Sequence, residues 1–447
     1  MAGGLWTSQD KKLAGVYINV KSKPSYSSPV GSRGTVAIVK ALDWGEGVIE
    51  YKVGDDTMNQ FGYDITHDRM MWLKEMVKGS DTTSAPTKVI VINAKTNGAK
   101  AAATVGNLTA TAQNIGARGN DIKLLIEANT SASTFDVSVI VDGTVRAKQT
   151  AKNVEDLVSN SWVKFSGTGA ITATAGVSLA GGKTPTRTAE DFTQAFNTLE
   201  QYHFDVFCYD DTNETIAKAI ESFITRMNET QGMKCQAVIA GNSSKISNKY
   251  IIKVLNGVSL NNGKTLTPGE ATYWVAGASA GAQYNDSLTY AKYPGAITAS
   301  PLLTLSEQEK AVDSGLFAFI NNFGAVKVLL DVNSKIDVTA DEGKEFKKNR
   351  VMRVLSTLQN DIYECFSNYF IGKVDNSPEG RDLLKARVIG MLNDMQSGNG
   401  IKNFSSEDVE VFAGESTDSI LINIALQPID SIEKIYIAVT VVSATEG

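Results

Sequence analysis

The stretch at residues 418–443 is the feature that most constrains how this chain folds. Two apolar runs flank a four-residue turn centred on Pro428 and predict two β-strands. In the second run the side chains that point one way are Ile435, Ile437, Val439 and Val441. The intervening residues, including Tyr436, present apolar side chains to the other face, which is typical of a strand covered on both sides. An unpaired apolar strand is an aggregation-prone edge. We therefore expect it to insert into a sheet of its own or of another subunit.

A second isolated strand is predicted near the N-terminus. Residues 1–30 have the composition of an extended arm, because Gly and Pro residues such as Pro24 and Pro29 disfavour a helix. Within this arm lies a short strand whose predicted pairing residues are Gly15, Val16, Tyr17, Ile18 and Val20. Each strand could pair locally, but apolar strands near both ends of the chain together indicate strand exchange between subunits.

Composition limits the classes of function. A chain of 447 residues is long enough for two or three domains, and 42% apolar with 21% charged residues is ordinary for a globular protein. The net charge of −6 argues against general nucleic-acid binding. We see no apolar run of the roughly 20 residues that span a bilayer and no signal peptide. We therefore expect folding in the cytosol, without membrane contact.

The periodicity of the rest of the chain predicts a multidomain α/β (α+β) protein with a mixed-sheet core. Residues 31–93 are the first part of this core, with strands at 34–40 and 87–92 around a helix at 64–78. Residues 186–335 are the second part. Its predicted strands are 204–209, 235–240 and 325–331, and its helices begin near Thr188, Asp211 and Ser306.

Residues 94–185 differ in character, because small residues dominate and the predicted strands are short. Phe135–Val141 and Thr144–Lys148 flank Asp142-Gly143, a dipeptide typical of a two-residue hairpin turn. A flexible linker is the alternative, but the strands are too apolar for that. The segment is therefore predicted to be an independent β-rich insertion domain.

Residues 336–431 predict a helical C-terminal domain, followed by an arm at 432–447. Thr339 and Glu342 have the spacing of a capping box for a helix over about 340–371, and Ser377-Pro378 starts another helix. Three basic residues share one face of the first helix, namely Lys344, Lys347 and Lys348. They form either a solvated helix face or a docking surface for an acidic protein partner.

A G-x-S-x-G sequence at residues 277–281 tests the main enzyme hypothesis. It resembles the nucleophile elbow of α/β-hydrolases, in which a catalytic His follows the Ser along the chain. The chain has two histidines, His67 and His203, and both precede Ser279. The required order therefore fails, and the motif is better interpreted as a small-residue turn that permits close packing.

The remaining motifs also have simpler explanations. Two G-K-T triplets, at 182–184 and 263–265, lack the earlier glycine of a phosphate-binding loop. Asp210-Asp211 could hold Mg²⁺ at a strand end, but Asp211 with Glu214 three residues later favours helix capping. The three cysteines are widely spaced, as in a reduced core.

Several stretches, in their order along the chain, resemble the contractile tail sheath proteins of bacteriophages and phage-tail-like bacteriocins, in the compact form of Gram-positive hosts. The stretches are residues 1–7, 15–19, 115–122 (IGARGNDI), 275–281, 287–290 (SLTY), Asn349-Arg350 and 427–436 (QPIDSIEKIY). Family members usually have Pro-Gly where this chain has Ala14-Gly15.

The resemblance implies a structural subunit, with no enzymatic activity, catalytic residue, metal or cofactor. Family members form stacked hexameric rings around an inner tail tube and contract to drive the tube through a target envelope. The implied partners are further copies of the chain, the tube protein, and baseplate and tail terminator proteins. The insertion would face outward and the C-terminal domain the tube, in a virion tail or tail-like particle assembled in the host cytoplasm. The alternatives are a hydrolase-like enzyme or another self-assembling viral structural protein.

Overall fold

The computed structural model describes residues 33–241, 245–340 and 342–441, together with the backbone of residues 2–4 and 15–17. The two short N-terminal segments are strands β1 (Ala2–Gly4) and β2 (Gly15–Tyr17), which pair in parallel. Strand β2 begins at the predicted residue. Ile18 and Val20 of the predicted arm strand lie outside the described residues.

The central domain begins with a strand-helix-strand segment. Its elements are β3 (Thr35–Lys40), β4 (Val48–Lys52), α1 (Thr57–Phe61), α2 (Met71–Met76) and β5 (Lys88–Asn93). The helix predicted from residue 64 is shorter, because the Asp64 carboxylate accepts hydrogen bonds from the backbone and hydroxyl of Thr66 and closes a local turn. A 3₁₀ turn at Asp68–Met70 then leads into α2.

The predicted β-rich segment forms two sheets that share one apolar core. Its strands are β6 (Ala102–Val105), β7 (Leu108–Ala112), β8 (Ile122–Asn129), β9 (Thr134–Val141), β10 (Thr144–Ala151), β11 (Val163–Ser166) and β12 (Thr174–Ser178). Their order is β10-β9-β8-β12 in one sheet and β11-β7-β6 in the other. The predicted hairpin is confirmed, since Asp142 and Gly143 join β9 to β10 with φ values of 52° and 74°. Residues of both sheets, such as Leu124 and Phe165, are buried in this core.

The second part of the central domain continues the alternation. Its helices are α3 (Ala189–Leu199), α4 (Glu214–Glu229), α5 (Pro268–Gly281) and α6 (Leu305–Asp313). Its strands are β13 (Val206–Cys208), β14 (Gln236–Ala240), β15 (Ile251–Val254), β16 (Gly257–Leu260), β17 (Thr265–Leu266), β18 (Ala296–Ser300), β19 (Leu316–Phe317), β20 (Phe319–Asn322) and β21 (Ala325–Val328).

A seven-stranded sheet organises this domain, in the order β19-β15-β14-β13-β3-β5-β4. All neighbours are parallel except β4 and β5. Both faces are covered, because Val36 and Ile38 share a core with α2 and α5, whereas Ala37 and Val39 share a core with α3 and α4. Full coverage explains why the strands are apolar without alternation.

Helix boundaries differ from the prediction where local hydrogen bonds decide them. Thr188 caps α3, as predicted. Asn213 rather than Asp211 caps α4, and Thr304 rather than Ser306 caps α6. In each case the observed cap accepts from backbone N–H groups two or three residues ahead.

The C-terminal part consists of two helices and two small sheets. Its elements are α7 (Asn349–Tyr369), α8 (Pro378–Ser397), β22 (Ile401–Lys402), β23 (Val409–Ala413), β24 (Ile420–Ile424) and β25 (Gln427–Pro428). Ser377 caps α8, as predicted. Helix α7 starts later than the predicted residue 340, because Glu342 binds Lys249 and Lys335 instead of helix backbone.

Candidate subunit interface

The segment that follows β25 is tied to the subunit at its first residues. The backbone N–H of Ile429 donates to Gly400 O at 2.9 Å, just after the pairing of β25 with β22. The carboxylate of Glu433 then accepts a hydrogen bond from Thr289 Oγ1 at 3.0 Å and pairs with Lys348 Nζ. Glu433 therefore fixes the point at which the C-terminal arm leaves the body.

Beyond Glu433 the arm has no sheet partner among the described residues. Ile435, Ile437, Val439 and Val441 are 75–89% exposed, and Tyr436 is 90% exposed. The expectation that this run could insert into the chain's own sheet is wrong for the described subunit, since residues 429–441 form no strand. Four apolar side chains at alternate positions thus remain uncovered at residues 435–441.

The preceding predicted strand does form, but with another partner. Strand β24 pairs antiparallel with β23, from Val409 opposite Ile424 to Ala413 opposite Ile420. Among the described residues no third strand joins them. The hairpin therefore has open backbone edges, and Phe412 and Leu421 are about half exposed on it.

The N-terminal arm joins the body at a buried charge. The carboxylate of Asp205 accepts from the backbone N–H groups of Gly34 and Thr35 at 2.9 and 3.0 Å and lies 3.6 Å from the Arg33 guanidinium. Arg33 Nε also donates to Ala282 O. Burial lowers the pKa of Arg33, and Asp205 opposes that shift. Because β3 follows directly, the arm is attached to the middle of the central sheet.

The predicted basic face does not form as a helix face. Lys344 and Lys347 lie in a 3₁₀ turn and Lys348 in the extended residue before α7. Lys347 Nζ donates to Val312 O, and Lys348 pairs with Glu433. Lys344 alone of the three is exposed.

A buried ion pair joins the central domain to α7. Arg353 pairs with Asp331 at 0% and 1% side-chain exposure. The second carboxylate oxygen of Asp331 accepts from Asn349 Nδ2 at 2.9 Å, and Arg353 also donates to Asp286 O at 3.0 Å. Partners on α7 and on the loop after β21 therefore fix α7 against the central domain.

The G-x-S-x-G residues lie inside buried helix α5 rather than in a turn. Ser279 is fully buried, and its hydroxyl has no hydrogen-bond partner among the described residues. A Cβ on Gly277 would approach Met76 O to 1.7 Å. The interpretation as a close-packing device is thus confirmed, although the local structure is a helix.

Asp210, the candidate metal ligand, is occupied by protein donors. Its carboxylate binds Lys40 at 2.7 Å, Arg187 and the Tyr273 hydroxyl. Burial alone would raise the pKa of Asp210, but Lys40 and Arg187 outweigh it and hold the pKa below the ordinary value. The usual ligand position of an α/β sheet is therefore filled by an internal ion cluster.

The described part of the chain contains no metal-binding cluster, no disulfide and no helix suited to span a membrane. No cluster of His, Cys, Asp and Glu there could hold a metal ion. The three cysteines are buried and unpaired. Of the described helices, none is both long and apolar enough to cross a membrane.

Sequence reasoning missed two features of this surface. Strand β23 was not assigned, although Val409-Glu410-Val411 alternates. Phe323 was also missed: it lies at a hairpin tip and is 99% exposed, and the Phe-Gly dipeptide gave only a weak turn signal.

Family models cover most of the chain. Residues 33–86 match the N-terminal region of domain III of tail sheath protein Gp18, and residues 96–184 match the phage tail sheath beta-sandwich domain. Residues 186–334 match the central domain of phage tail sheath proteins, and residues 341–442 match their C-terminal domain.

Whole-chain relatives agree with these matches. The phage-like element PBSX protein XkdK of Bacillus subtilis is 32% identical, over 99% of this chain and 100% of that protein. A sheath tail protein of Desulfitobacterium hafniense superimposes with a TM-score of 0.83 at 37% identity, over 95% and 99% of the two chains. A sheath tail protein from Listeria innocua superimposes with a TM-score of 0.80 at 29% identity, over 92% of this chain and 95% of that one.

A more distant structure shares the fold. The helical sheath of the anti-feeding prophage in its contracted state gives a TM-score of 0.56 at 10% identity, over 96% of this chain and 99% of that one. Matches along nearly the whole length leave no large part of the chain unassigned. The chain belongs to the phage tail sheath family and is a structural subunit of a contractile tail sheath, in a phage tail or tail-like particle.

Proposed function

We propose that this subunit assembles as stacked hexameric rings around an inner tail tube, and that its two arms supply the strands that connect neighbouring subunits. The observation that carries the proposal is the alternating run Ile435–Val441, which is apolar and exposed although the adjacent residues are anchored. The arm strands are residues 14–20 and 432–442. Backbone pairing between subunits covers such a run at little steric cost.

The receiving edge in this proposal is the β23–β24 hairpin. A two-stranded sheet has unpaired N–H and C=O groups along both outer edges. Its exposed Phe412 and Leu421 offer apolar cross-strand neighbours for an incoming Val or Ile. The arm of one subunit would thus complete a sheet that the next subunit leaves open.

Two arms that are anchored to the body, of which the C-terminal one forms no strand in the described residues, suit a sheath that contracts. Asp205 and Glu433 hold the two arm roots, and Arg353 with Asp331 fixes α7 to the central domain. The body then moves as one piece while the paired arms keep neighbours connected. The extended form is metastable, and a baseplate signal lets the rings rotate and compact.

The orientation proposed for the subunit has the insertion at 94–185 outward and the C-terminal domain at 336–431 toward the tube. Tail terminator and baseplate proteins cap the two ends, and assembly takes place in the host cytoplasm without nucleic-acid or membrane contact. We propose no catalytic role, in keeping with the buried Ser279.

Contact with an acidic tube is proposed for the basic residues before α7. Lys344 is the accessible member of the three, since Lys347 and Lys348 bind within the subunit. Lys344→Glu should spare sheath self-assembly but reduce decoration of purified tubes. Unchanged decoration would reject the tube contact.

Negative-stain electron microscopy of arm deletions tests the proposal. The full chain, mixed with its tube protein, is expected to form hollow, striated cylinders. Deleting residues 1–22, or ending the chain after Lys434, should leave a folded subunit that forms none. Normal cylinders from both deletions would refute the role of the arms, and shells or flat sheets from the full chain would refute the sheath geometry.

A further inference from the structure

Phe323 occupies an unfavourable position at the tip of the β20–β21 hairpin. Asn322 pairs with Ala325, so Phe323 and Gly324 form a two-residue loop with φ values of 46° and 75°. Such turns favour Asn, Asp or Gly, and positive φ is rare for a bulky side chain. Phe323 is also 99% exposed. An aromatic residue here costs free energy and contributes no packing within the subunit.

The hairpin that presents Phe323 is firmly held. Phe319, Val326 and Val328 are buried in the central core. The side chain of Asn321 accepts from Ala299 N at 2.8 Å and donates to Thr298 Oγ1 at 3.0 Å. A large aromatic ring on a backbone that needs no further ordering has the properties of an interface anchor.

A positive charge accompanies the ring. Lys327 Nζ donates to Asn322 Oδ1 at 3.0 Å and lies 5.4 Å from the ring centre of Tyr290. Within the described part of the chain Lys327 has no carboxylate partner. The tip therefore presents an aromatic ring beside a cation available for pairing.

A complementary cavity lies in the C-terminal part of the subunit. It has a volume of about 380 Å³ and is lined mainly by apolar side chains, namely Phe366, Phe370, Ile371, Val374, Leu384 and Ile422. Asp375 and Asp418 also line it, and neither is paired with a basic side chain in the described ranges. A cavity of about 150 Å³ is enough to hold benzene, so the volume is sufficient for a phenyl ring.

We propose that Phe323 of one subunit occupies this cavity of a second copy, with Lys327 facing Asp375 or Asp418. The proposal rests on the polymerisation inferred above and adds a contact that is independent of the arms. Ring and cavity are different patches of the same chain, so the contact is heterologous and can repeat without end. This repetition is what a ring or helical lattice needs.

Crosslinking tests the pairing directly. Ile371 is 70% exposed at the cavity, so Phe323→Cys and Ile371→Cys in one chain place one thiol on each side of the contact. A short bis-maleimide applied to assembled particles should give a ladder of dimers, trimers and longer chains on a denaturing gel. Each single variant should give monomer. Absence of the ladder in particles assembled above the raised critical concentration that loss of the Phe323 ring implies would overturn the pairing. Failure of the wild-type chain to form particles with its tube protein would instead contradict the proposed function.

Substitution at the tip gives a second readout. Phe323→Asn should raise the melting temperature of the subunit by about 2 °C, because the turn strain is relieved, and should increase the critical concentration for assembly about tenfold or more. Val158→Asn removes an apolar side chain that is 73% exposed on the insertion and should leave assembly unchanged. An unchanged critical concentration for Phe323→Asn would reject the anchor. Crosslinking to the tube protein instead of to a second sheath subunit would also reject it.

Discussion

Truncation of a single arm side chain measures what the arm contributes to assembly. Val439 is 82% exposed in the subunit. Val439→Ala removes two methyl groups, each contributing about 0.8 kcal/mol when fully buried. Because 82% of the residue is still exposed in the subunit, covering the arm in the lattice would bury about 82% of this amount, so about 1.3 kcal/mol is lost per subunit. Each subunit gives one arm, and about 1.4 kcal/mol corresponds to a factor of ten in an equilibrium constant. The critical concentration should therefore rise about tenfold.

Pelleting of assembled sheath over a dilution series gives that critical concentration directly. The melting temperature of the dispersed subunit should not change, because Val439 is largely exposed there and its truncation removes little buried surface. Val158→Ala is a matched control: the same truncation, at a residue 73% exposed on the insertion, predicts no change in either measurement.

Two results would refute this reasoning. An unchanged critical concentration for Val439→Ala would mean that the arm stays exposed in the particle. A lower melting temperature of the subunit would mean that the arm packs within its own chain, and the exposure on which the proposal depends would then be wrong.

Three further predictions concern the body of the subunit. Gly277→Ala should destabilise it by at least about 3 kcal/mol through overpacking against Met76 O, whereas Ser279→Ala, which removes a buried hydroxyl without a partner, should be neutral or stabilising by about 1 kcal/mol; chemical denaturation compares them, and equal losses would contradict the packing account. For Asp191, burial raises the pKa but hydrogen bonds from Lys95 and Thr188 outweigh it and lower it from 3.8 to about 2. The Asp191 carboxylate should stabilise the fold by about 2 kcal/mol relative to Asp191→Asn. This stabilisation should be complete above about pH 4 and be lost as the pH falls to 2. Urea unfolding of both proteins across this range checks it, and a difference in unfolding free energy that does not change with pH would contradict it. Glu433→Gln weakens the pairing with Lys348, so trypsin should cleave after Lys434 several-fold faster, and an unaltered rate would show that Glu433 does not fix the arm root.

The sequence predicts best where burial and pattern coincide. Strand β3 is predictable because both of its faces are apolar. Helix α8 is predictable because one stripe along it is apolar. Helix starts were less predictable, because several polar residues compete for the cap. Asn213 prevails over Asp211 by accepting from two backbone N–H groups, a choice that depends on the exact path of the loop.

The error at the start of α7 has a tertiary cause. Thr339 and Glu342 have the spacing of a capping box, yet the Glu342 carboxylate binds Lys249 and Lys335. Lys249 is distant in sequence, so no local pattern could reveal this partner. Lys344 and Lys347 lie in a 3₁₀ turn and Lys348 is extended, so the three do not share a helix face.

The arms were only half predictable for a different physical reason. The alternation of Ile435 to Val441 predicts a strand, and residues 429–441 form none in the subunit. Pairing is a property of two edges, and the sequence of one chain does not say which chain provides the second, so the inter-subunit strand stays a prediction. In the subunit the segment is anchored by Glu433 and then exposed. A monomer gains nothing from this arrangement, because exposed apolar residues favour aggregation. In the proposed arm pairing, the free energy of burying residues 435–441 is released when another subunit supplies the sheet edge.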